Sequence, residues 1–598
     1  MTAQEEEPVL EDSQALSVPK TKPKAAKKRR KGIKVQKNKI SLSERMLRLA
    51  LRCTRIPAKI FVSRVPFLRE DLLRSNLSIS AEGLIALSMF IAILCVPIAI
   101  VASIVLIDAG LGIAALAMPF VLVLPILVGV GIPKISAGSR GAALENELPY
   151  LVGYITTLAE GGISPFVTIE RIAKANVIFP ASAREARRIL LDIKVLGLDP
   201  VSALDKAAKY TPNRAFSDFI GGYVAVLKTG GSAQSYLESK LRDIFTYREI
   251  KIRATSELMG SLAEAYIIST VVMGVAFTVL FATQNLMSAN VTSIDPTQII
   301  LFSGVFVPVI SVVFIMVINS VQIREPFTYN LPYYVFMGCI PIGLVIFFAP
   351  LGLPIYTQLG IGLASISAPG MVVQEIYMRQ RKSVESKLAN FLRDISEIRK
   401  TGLAPEKTIE QLANRNYGGL SKHVAKISAQ LSWGTPMRVV LQNFSSSVKS
   451  WITKAMTFLL LEVVDVGGGS PKMFIGLADF TERSGQLQKE KKSMVRPYMI
   501  IPYIGAIMVV ITTAMMVYFI NPPGLAQPGI SVTIASPQVV AEATNILLTA
   551  SFFQAWIMGL VAGKMGEDSV ADGFKHATLL IVISLITVYV AQAFIKFA

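Results

Sequence analysis

Few residues of this chain have the types and spacing that enzyme or metal chemistry requires. The three cysteines, Cys53, Cys95 and Cys339, lie far apart and without CxxC spacing, so they predict neither a disulfide framework nor a zinc site. His423 and His576 are the only histidines, and the sequence contains no HExxH motif for metal-dependent hydrolysis. The sequence therefore predicts no catalytic residue, no metal and no cofactor.

Glycine-rich segments are also poor candidates for phosphate binding. The chain lacks GxxxxGK[ST], and no Lys-Ser/Thr pair follows the glycines at 230–231 and 467–469. Two fragments, Ser446 to Lys449 and Lys228 to Gly230, match parts of the penicillin-binding motif set. They stand in the wrong order and without Ser-Asp-Asn. Helix termination is the better interpretation of these glycines.

The composition is that of a membrane protein with many spans. Of the 598 residues 52% are hydrophobic, the mean hydropathy is +0.53 and the formal net charge is +19. About 20 apolar residues cross a bilayer as a helix. Nine stretches without Asp, Glu, Lys or Arg fit: 83–107, 109–132, 265–286, 299–320, 331–353, 355–374, 498–520, 545–563 and 577–595. The fold class predicted is all-α, a polytopic membrane protein with about nine transmembrane helices.

Basic residues predict the orientation of these helices, because Lys and Arg are retained on the cytoplasmic side. The predicted outer loops, 287–297, 351–357 and 521–543, contain neither residue. We therefore expect a cell-membrane protein with its N-terminus and both long polar blocks in the cytoplasm and its C-terminus outside. Asn290 begins a glycosylation sequon in the first outer loop and is a candidate for modification.

A helix–turn–helix pattern occurs in both polar blocks, at 147–173 and again at 387–413, without a gap. Such self-similarity indicates a duplicated structural unit. Gly162 and Gly402 suit the left-handed residue that ends a helix, and Pro165 and Pro405 suit the first turn of the next. The residues shared by the copies are Leu148, Ile155, Gly162, Pro165, Thr168, Ile169, Glu170 and Ala173, and Leu388, Ile395, Gly402, Pro405, Thr408, Ile409, Glu410 and Ala413.

The likeness continues downstream, where Gly230, Gly231 and Ser232 correspond to Gly468, Gly469 and Ser470 before each block enters a span. Strand signals are scarce, so we predict two homologous cytoplasmic helical bundles. The predicted organisation is a disordered basic cytoplasmic tail (1–40), an amphipathic membrane-surface region (41–79), a transmembrane hairpin (80–133), the first domain (134–264), a transmembrane pair (265–320), a second hairpin (331–374), the second domain (380–497), a second pair (498–563) and a final transmembrane helix (577–595).

The N-terminal tail has eleven Lys and Arg residues between Lys20 and Lys39. Because it is tethered just before a span, anionic membrane lipids or the retention of topology explain it better than an acidic protein partner. Nucleic acid is the weakest of the alternatives, and we predict no nucleic-acid partner.

The paired blocks resemble the type II secretion F domain family, the integral-membrane platform proteins of type IV filament and type II secretion machines. The resemblance rests on the repeated Gly-x-x-Pro turns, the Gly-Ser elements and the span that follows each block. A hairpin ahead of each domain makes the chain similar to the archaeal branch, which serves archaella and archaeal adhesive pili.

The resemblance implies a non-catalytic protein that couples a hexameric cytoplasmic secretion ATPase to pilin- or archaellin-type filament subunits. It also implies a small homo-oligomer such as a dimer. Candidate ATPase contacts are Arg184, Arg187, Arg188, Lys489, Lys491 and Lys492, with a solvated helix face as the alternative for each. A transporter or export channel is the rival function, although spans without ionisable residues count against ion coupling. A membrane enzyme is disfavoured because no catalytic constellation is present.

Overall fold

A computed structural model describes residues 42–75, 77, 79–108, 118–287, 297–323, 329–465, 471–520, 537–567 and 569–597. These residues are predominantly α-helical, and none of them forms a β-strand. The predicted tail (1–40), the sequon at Asn290 and the second Gly-Ser element (468–470) lie outside the described residues. The chain divides into two compact units, residues 1–66 with 79–130 and residues 67–78 with 131–598.

The first three helices cover the predicted amphipathic region and the first predicted span. They are α1 (Leu42–Arg64), α2 (Phe67–Ser75) and α3 (Ala81–Asp108). α1 is kinked at Thr54, which has non-helical backbone angles and precedes Pro57. The Thr54 hydroxyl donates to the carbonyls of Ala50 (2.8 Å) and, on α3, Ala86 (2.9 Å). These bonds attach the kink in α1 to the beginning of the first predicted span.

The first polar domain contains six helices. They are α4 (Met118–Glu160), α5 (Pro165–Lys174), α6 (Pro180–Lys194), α7 (Pro200–Tyr210), α8 (Arg214–Thr229) and α9 (Ala233–Ile267). A π-helical turn at Ile268–Val272 joins α9 to α10 (Met273–Met287), so the domain continues into the next span. After a short α11 (Thr297–Leu301) and a second π-helical turn comes α12 (Val307–Val321).

The second half of the chain repeats this order. It comprises α13 (Leu331–Phe348), α14 (Ile355–Arg399), α15 (Pro405–Leu412), α16 (Ser421–Ser432), α17 (Met437–Ser447), α18 (Trp451–Asp465), α19 (Pro471–Ile520), α20 (Pro537–Gly566) and α21 (Gly573–Phe597). α14 and α19 correspond to α4 and α9 of the first half.

Eight helical stretches within the described residues are long and apolar enough to cross a membrane. They are Ala81–Val101, Ala233–Leu280, Ile299–Val321, Leu331–Phe348, Ile355–Arg399, Pro471–Val517, Ala541–Gly566 and Val570–Ala593. They confirm a helical protein with several membrane-spanning segments. The remaining predicted span, 109–132, begins on residues 109–117, which the structure does not describe.

Four of the predicted boundaries between spans and polar domains fall inside continuous helices. α4 passes through 133–134, α9 through 264–265, α14 through 374–380 and α19 through 497–498. At 1.5 Å per residue, the part of α4 after its predicted span is about 40 Å long. The polar domains are therefore built on the extended ends of membrane helices, without an intervening linker.

α20 and α21 form a close hairpin. A Cβ on Gly563 would lie 2.1 Å from the Cα of Gly573, so only glycine permits this approach. Two charged residues at the hairpin end, Lys564 and Asp572, are buried, and the Gln374 amide donates to Asp572 (2.7 Å). The apolar pattern of the sequence did not predict these buried charges.

Candidate functional site: the paired polar domains

Each polar domain has one end at the spans and one end remote from them. In the first domain α4 continues from a predicted span, and α9 continues into the next one. The turns at 161–164, 195–199 and 230–232 lie at the remote end. Contacts between helices support this order, since Lys194 at the end of α6 pairs with Glu170 on α5. At the other end of α6, Ala181 and Ser182 meet Glu147, 13 residues before the end of α4.

The predicted Gly-x-x-Pro turns have the expected backbone geometry. Gly162 has φ +75° and Gly402 has φ +82°, both in the left-handed region that favours glycine. Pro165 and Pro405 begin α5 and α15. The two copies differ at the N-cap, because the Ser164 hydroxyl accepts from the Val167 amide whereas Ala404 has no such group. The backbone of both turns thus has the conformation that the glycine and proline spacing favours.

The first Gly-Ser element also ends one helix and begins another. Gly230 has φ +73° at the C-cap of α8, and the Ser232 hydroxyl accepts from the amide of Ser235 at the start of α9 (3.3 Å). Gly231 lies between them and donates to the carbonyl of Val226 (3.1 Å). These bonds account for the element as local helix structure.

The shared glutamates of the repeat have different partners in the two copies. Glu170 on α5 pairs with Lys194 on α6, whereas Glu410 pairs within its own helix with Lys407 (2.7 Å). The Lys194 ammonium lowers the pKa of Glu170. Because these pairs are largely exposed, each stabilises its domain only slightly.

A buried carboxylate that sequence reasoning missed fixes α6 in the first domain. Glu147 is 2% exposed and accepts hydrogen bonds from the amides of Ala181 (2.9 Å) and Ser182 (2.7 Å) and from the Ser182 hydroxyl (2.7 Å). A carboxylate at a helix N-terminus satisfies amides that have no partner within the helix. Burial nevertheless raises the pKa of Glu147. The equivalent residue of the second copy is the exposed Lys387, so this cap exists in one domain only.

The two polar domains share one hydrophobic core, which the sequence did not predict. Trp451 of the second domain packs edge-on against Tyr150 on α4 (ring centroids 4.5 Å apart) and against Phe179 (6.5 Å). Its indole N–H donates to the carbonyl of Ile178 (3.0 Å). Nearby, Gly153 leaves room for the ring of Phe480, which a Cβ at that position would approach to 2.6 Å.

A polar cluster lies at the same contact between the domains. The Tyr154 hydroxyl on α4 donates to Glu462 on α18 (3.3 Å), and Arg171 on α5 forms an ion pair with the same carboxylate. Burial is the main cause of the raised pKa of Tyr154. The Arg171–Glu462 pair is mostly buried, and removal of either charge would leave the other without its opposite charge. This cluster fixes the orientation of one domain against the other.

The contact uses different faces of the two domains. In the first domain the outer face of α4, with Tyr150, Gly153 and Tyr154, meets α18 and α19 of the second. At the equivalent positions α14 has Asn390, Arg393 and Asp394, and there Arg393 pairs with Glu482 of its own domain. The outer face of α4 therefore binds the second domain, whereas the equivalent face of α14 is polar.

The six candidate ATPase contacts fall into two places. Arg184, Arg187 and Arg188 lie on the solvent-facing side of α6, Arg184 and Arg187 exposed and Arg188 half-buried. The other three, Lys489, Lys491 and Lys492, lie on α19 close to the spans, where the Lys491 ammonium donates to the carbonyl of Ile323 (2.7 Å). The structure does not bring the two groups together.

Among the residues that the structure describes, no group of three or more His, Cys, Asp or Glu side chains is arranged to hold a metal ion.

Comparison with known proteins finds a similarity in both polar domains. Two segments, residues 151–281 and 391–518, match the family model described as "Type II secretion system (T2SS), protein F". Both polar domains resemble protein F. Each matched segment contains most of one F-like domain and the span that follows it. The comparison thus shows that these two segments are similar to protein F of type II secretion systems.

A relative of comparable length extends the similarity beyond the F-like domains. An uncharacterized protein of Methanocaldococcus jannaschii is 22% identical over 493 residues, which cover 77% of this chain and 81% of the relative. No solved structure matches the chain. The similarity to this archaeal relative therefore covers more of the chain than the two F-like domains do.

Proposed function

We propose that this chain is the integral-membrane platform of an archaeal type IV filament machine, either an archaellum or an adhesive pilus. In this proposal a hexameric cytoplasmic secretion ATPase acts on the F-like domains, and the chain transmits the motion to pilin- or archaellin-type subunits in the membrane. The observation that carries the proposal is the pair of protein F matches, each on helices that continue into membrane spans.

The construction of the domains fits a transmitter of motion. α4, α9, α14 and α19 run from the polar domains into the spans, and a continuous helix resists bending where a loop would not. The shared core around Trp451 makes the two F-like domains move together. A force applied at their remote end would therefore reach the spans that continue these helices.

The orientation belongs to the same proposal. With Lys- and Arg-free outer loops at 287–297 and 521–543, both F-like domains and the N-terminus are cytoplasmic and the C-terminus is outside. The spans are surrounded by membrane lipids. A small homo-oligomer, such as a dimer, would stand beneath the filament.

Deletion of the gene, followed by electron microscopy of the cell surface, tests the proposal. We expect one filament type to disappear and to return when the intact chain is expressed from a plasmid. Persistence of every filament type would contradict the proposal. Solute flux through the purified chain in proteoliposomes without any ATPase would instead support a transporter or export channel.

A further inference from the structure

One solvent-facing stripe occurs in both F-like domains. On α6 it consists of Arg184, Arg188 and Leu191 and ends at Val195, the C-cap residue of that helix. The spacings of four, three and four residues place all four on one side of a helix. Leu191 is 60% exposed and Val195 71% exposed, although apolar side chains of this size are usually covered in a folded domain. We call these four residues the α6 stripe.

The second domain has the same pattern at the same spacing. On α16 the stripe consists of Lys422, Lys426 and Ala429 and ends at Trp433, again the C-cap residue. Trp433 is 90% exposed, and the left-handed Gly434 follows it, as Gly197 follows shortly after Val195. We call these four residues the α16 stripe.

The charge on both stripes is uniformly positive. Within the described part of the chain, Arg184, Arg188, Lys422 and Lys426 form no ion pair with a carboxylate. α16 contains no acidic residue, and the two acids of α6, Glu185 and Asp192, are paired with Arg140 and Lys206. The stripes therefore present cations that no ion pair within the described residues neutralises.

The position of the stripes separates them from the lipid. Along each stripe the two cations precede the two apolar residues. The C-termini of α6 and α16, which carry the apolar residues, both lie at the end of the domain that is remote from the spans. The pair Arg438–Asp465 places the turn after Trp433 beside the end of α18, just as Lys194–Glu170 places the end of α6 beside α5. An exposed tryptophan there contacts water unless a protein covers it.

From these observations we infer that the α6 and α16 stripes are the two docking surfaces for the cytoplasmic motor, and this inference rests on the proposed function. The partner surface has an apolar pocket for Trp433, or for Leu191 with Val195, and acidic side chains beside it for the cations. Tryptophan in a pocket is a common centre of binding energy, whereas surface charges mainly set the rate and selectivity of encounter. Since the chain has two stripes, one platform contacts the motor at two points.

The test uses the full-length chain in lipid nanodiscs and the purified secretion ATPase encoded by the same organism, with binding followed by biolayer interferometry. We expect Trp433→Ala to raise Kd at least tenfold, chiefly through faster dissociation, and Trp433→Phe to retain most of the affinity. The double variant Lys422→Glu, Lys426→Glu should slow association and reduce its dependence on salt. Arg184→Glu with Arg188→Glu should do the same for the α6 stripe.

Two control variants match these changes in exposure and charge but lie near the spans. Val177→Ala removes a side chain that is 84% exposed between α5 and α6, and Lys382→Glu reverses an exposed charge on α14. Both should bind the ATPase as the unaltered chain does. Circular dichroism and size-exclusion profiles would confirm that every variant is folded, since none of the altered side chains is in the core.

Normal binding by the stripe variants, with normal binding by the unaltered chain, would overturn the inference and leave the proposed function standing. An equal loss of ATPase affinity in the stripe variants and in the control variants would also overturn the inference, because the loss would then not be specific to the stripes. If the unaltered chain fails to bind the ATPase and the deletion strain keeps its filaments, the proposed function fails, and the docking surfaces fail with it.

Discussion

Glu160 is a carboxyl group held at the contact between the two F-like domains. It ends α4, and one of its oxygens has no hydrogen-bond partner within the described structure. Gly476 on α19 makes room for it, because a Cβ there would lie 2.9 Å from that oxygen. Burial, followed by the charge of Glu238, raises the pKa of Glu160 to about 7, while Lys472 opposes the shift and Asp479 adds to it.

The contact should therefore weaken as the pH rises from 4.5 towards neutrality. A carboxyl group with a raised pKa in the folded state binds more protons there than in the unfolded state. Stability is then lost between the ordinary glutamate pKa of 4.5 and the folded value of about 7, and changes little above it. We expect Glu160→Gln to remove this dependence and to stabilise the chain at pH 8 by about 1 kcal/mol, a figure reduced for solvent access.

Thermal unfolding of the detergent-solubilised chain at pH 5 and pH 8 measures this effect. The matched control is Glu490→Gln, an exposed glutamate on α19 without an ion pair within the described residues, which should behave as the unaltered chain does. An unchanged difference between the two pH values in Glu160→Gln would show that another group is responsible.

At the scale of elements, the helical hairpins depend on single glycines. A β-branched residue is disfavoured at φ > 0, so Gly402→Val should destabilise the α14–α15 hairpin by about 1–3 kcal/mol. No atom lies within 4 Å of the Cβ that the substitution adds, so backbone strain is the only cause. Gly485→Ala, within α19 and also in open space, is the control and should be neutral or stabilising. Equal melting temperatures for the two variants would contradict this account.

The sequence predicted the hairpins because their determinants are local. Gly162, Ser164 and Pro165 act within a few residues of one another, and an alternation of apolar residues along α4 is enough to indicate one buried face. The second buried face of α4 was missed, because it depends on Phe458 and Phe480, some 300 residues away in sequence. A signal was present: an apolar pattern on all sides of a helix indicates burial on all sides.

Comparison of the two copies strengthens the indication that α4 has a second buried face. Tyr150 and Tyr154 stand where the second copy has Asn390 and Asp394. Duplicated helices that keep one apolar face and differ on the other indicate that one copy has a partner there. The Trp451 contact itself could not be deduced, because nothing local to Trp451 specifies the carbonyl of Ile178 as its acceptor.

At the scale of the molecule, α9, α14 and α19 connect the F-like domains to predicted spans without a break in the helix. The spans were predictable from hydropathy, since a run of about 20 uncharged, mostly apolar residues usually forms a transmembrane helix. The continuity of the helices across the predicted domain boundaries was not predictable in this way, because a change in composition is not always a change in structure. A polar sequence continues a helix as readily as an apolar one when tertiary packing supports it.

This continuity makes orientation the property on which the whole proposal depends, since the domains and the motor must share one side of the membrane. With Cys53, Cys95 and Cys339 replaced by serine, the chain has no cysteine, and single cysteines can then be introduced. A membrane-impermeant maleimide applied to intact cells should label Thr292→Cys in the predicted outer loop. Ser432→Cys, on the exposed end of α16, should react only after lysis, because the F-like domains are then accessible from the cytoplasmic side. Reaction of Ser432→Cys in intact cells would place the docking stripes outside, where no cytoplasmic ATPase can reach them.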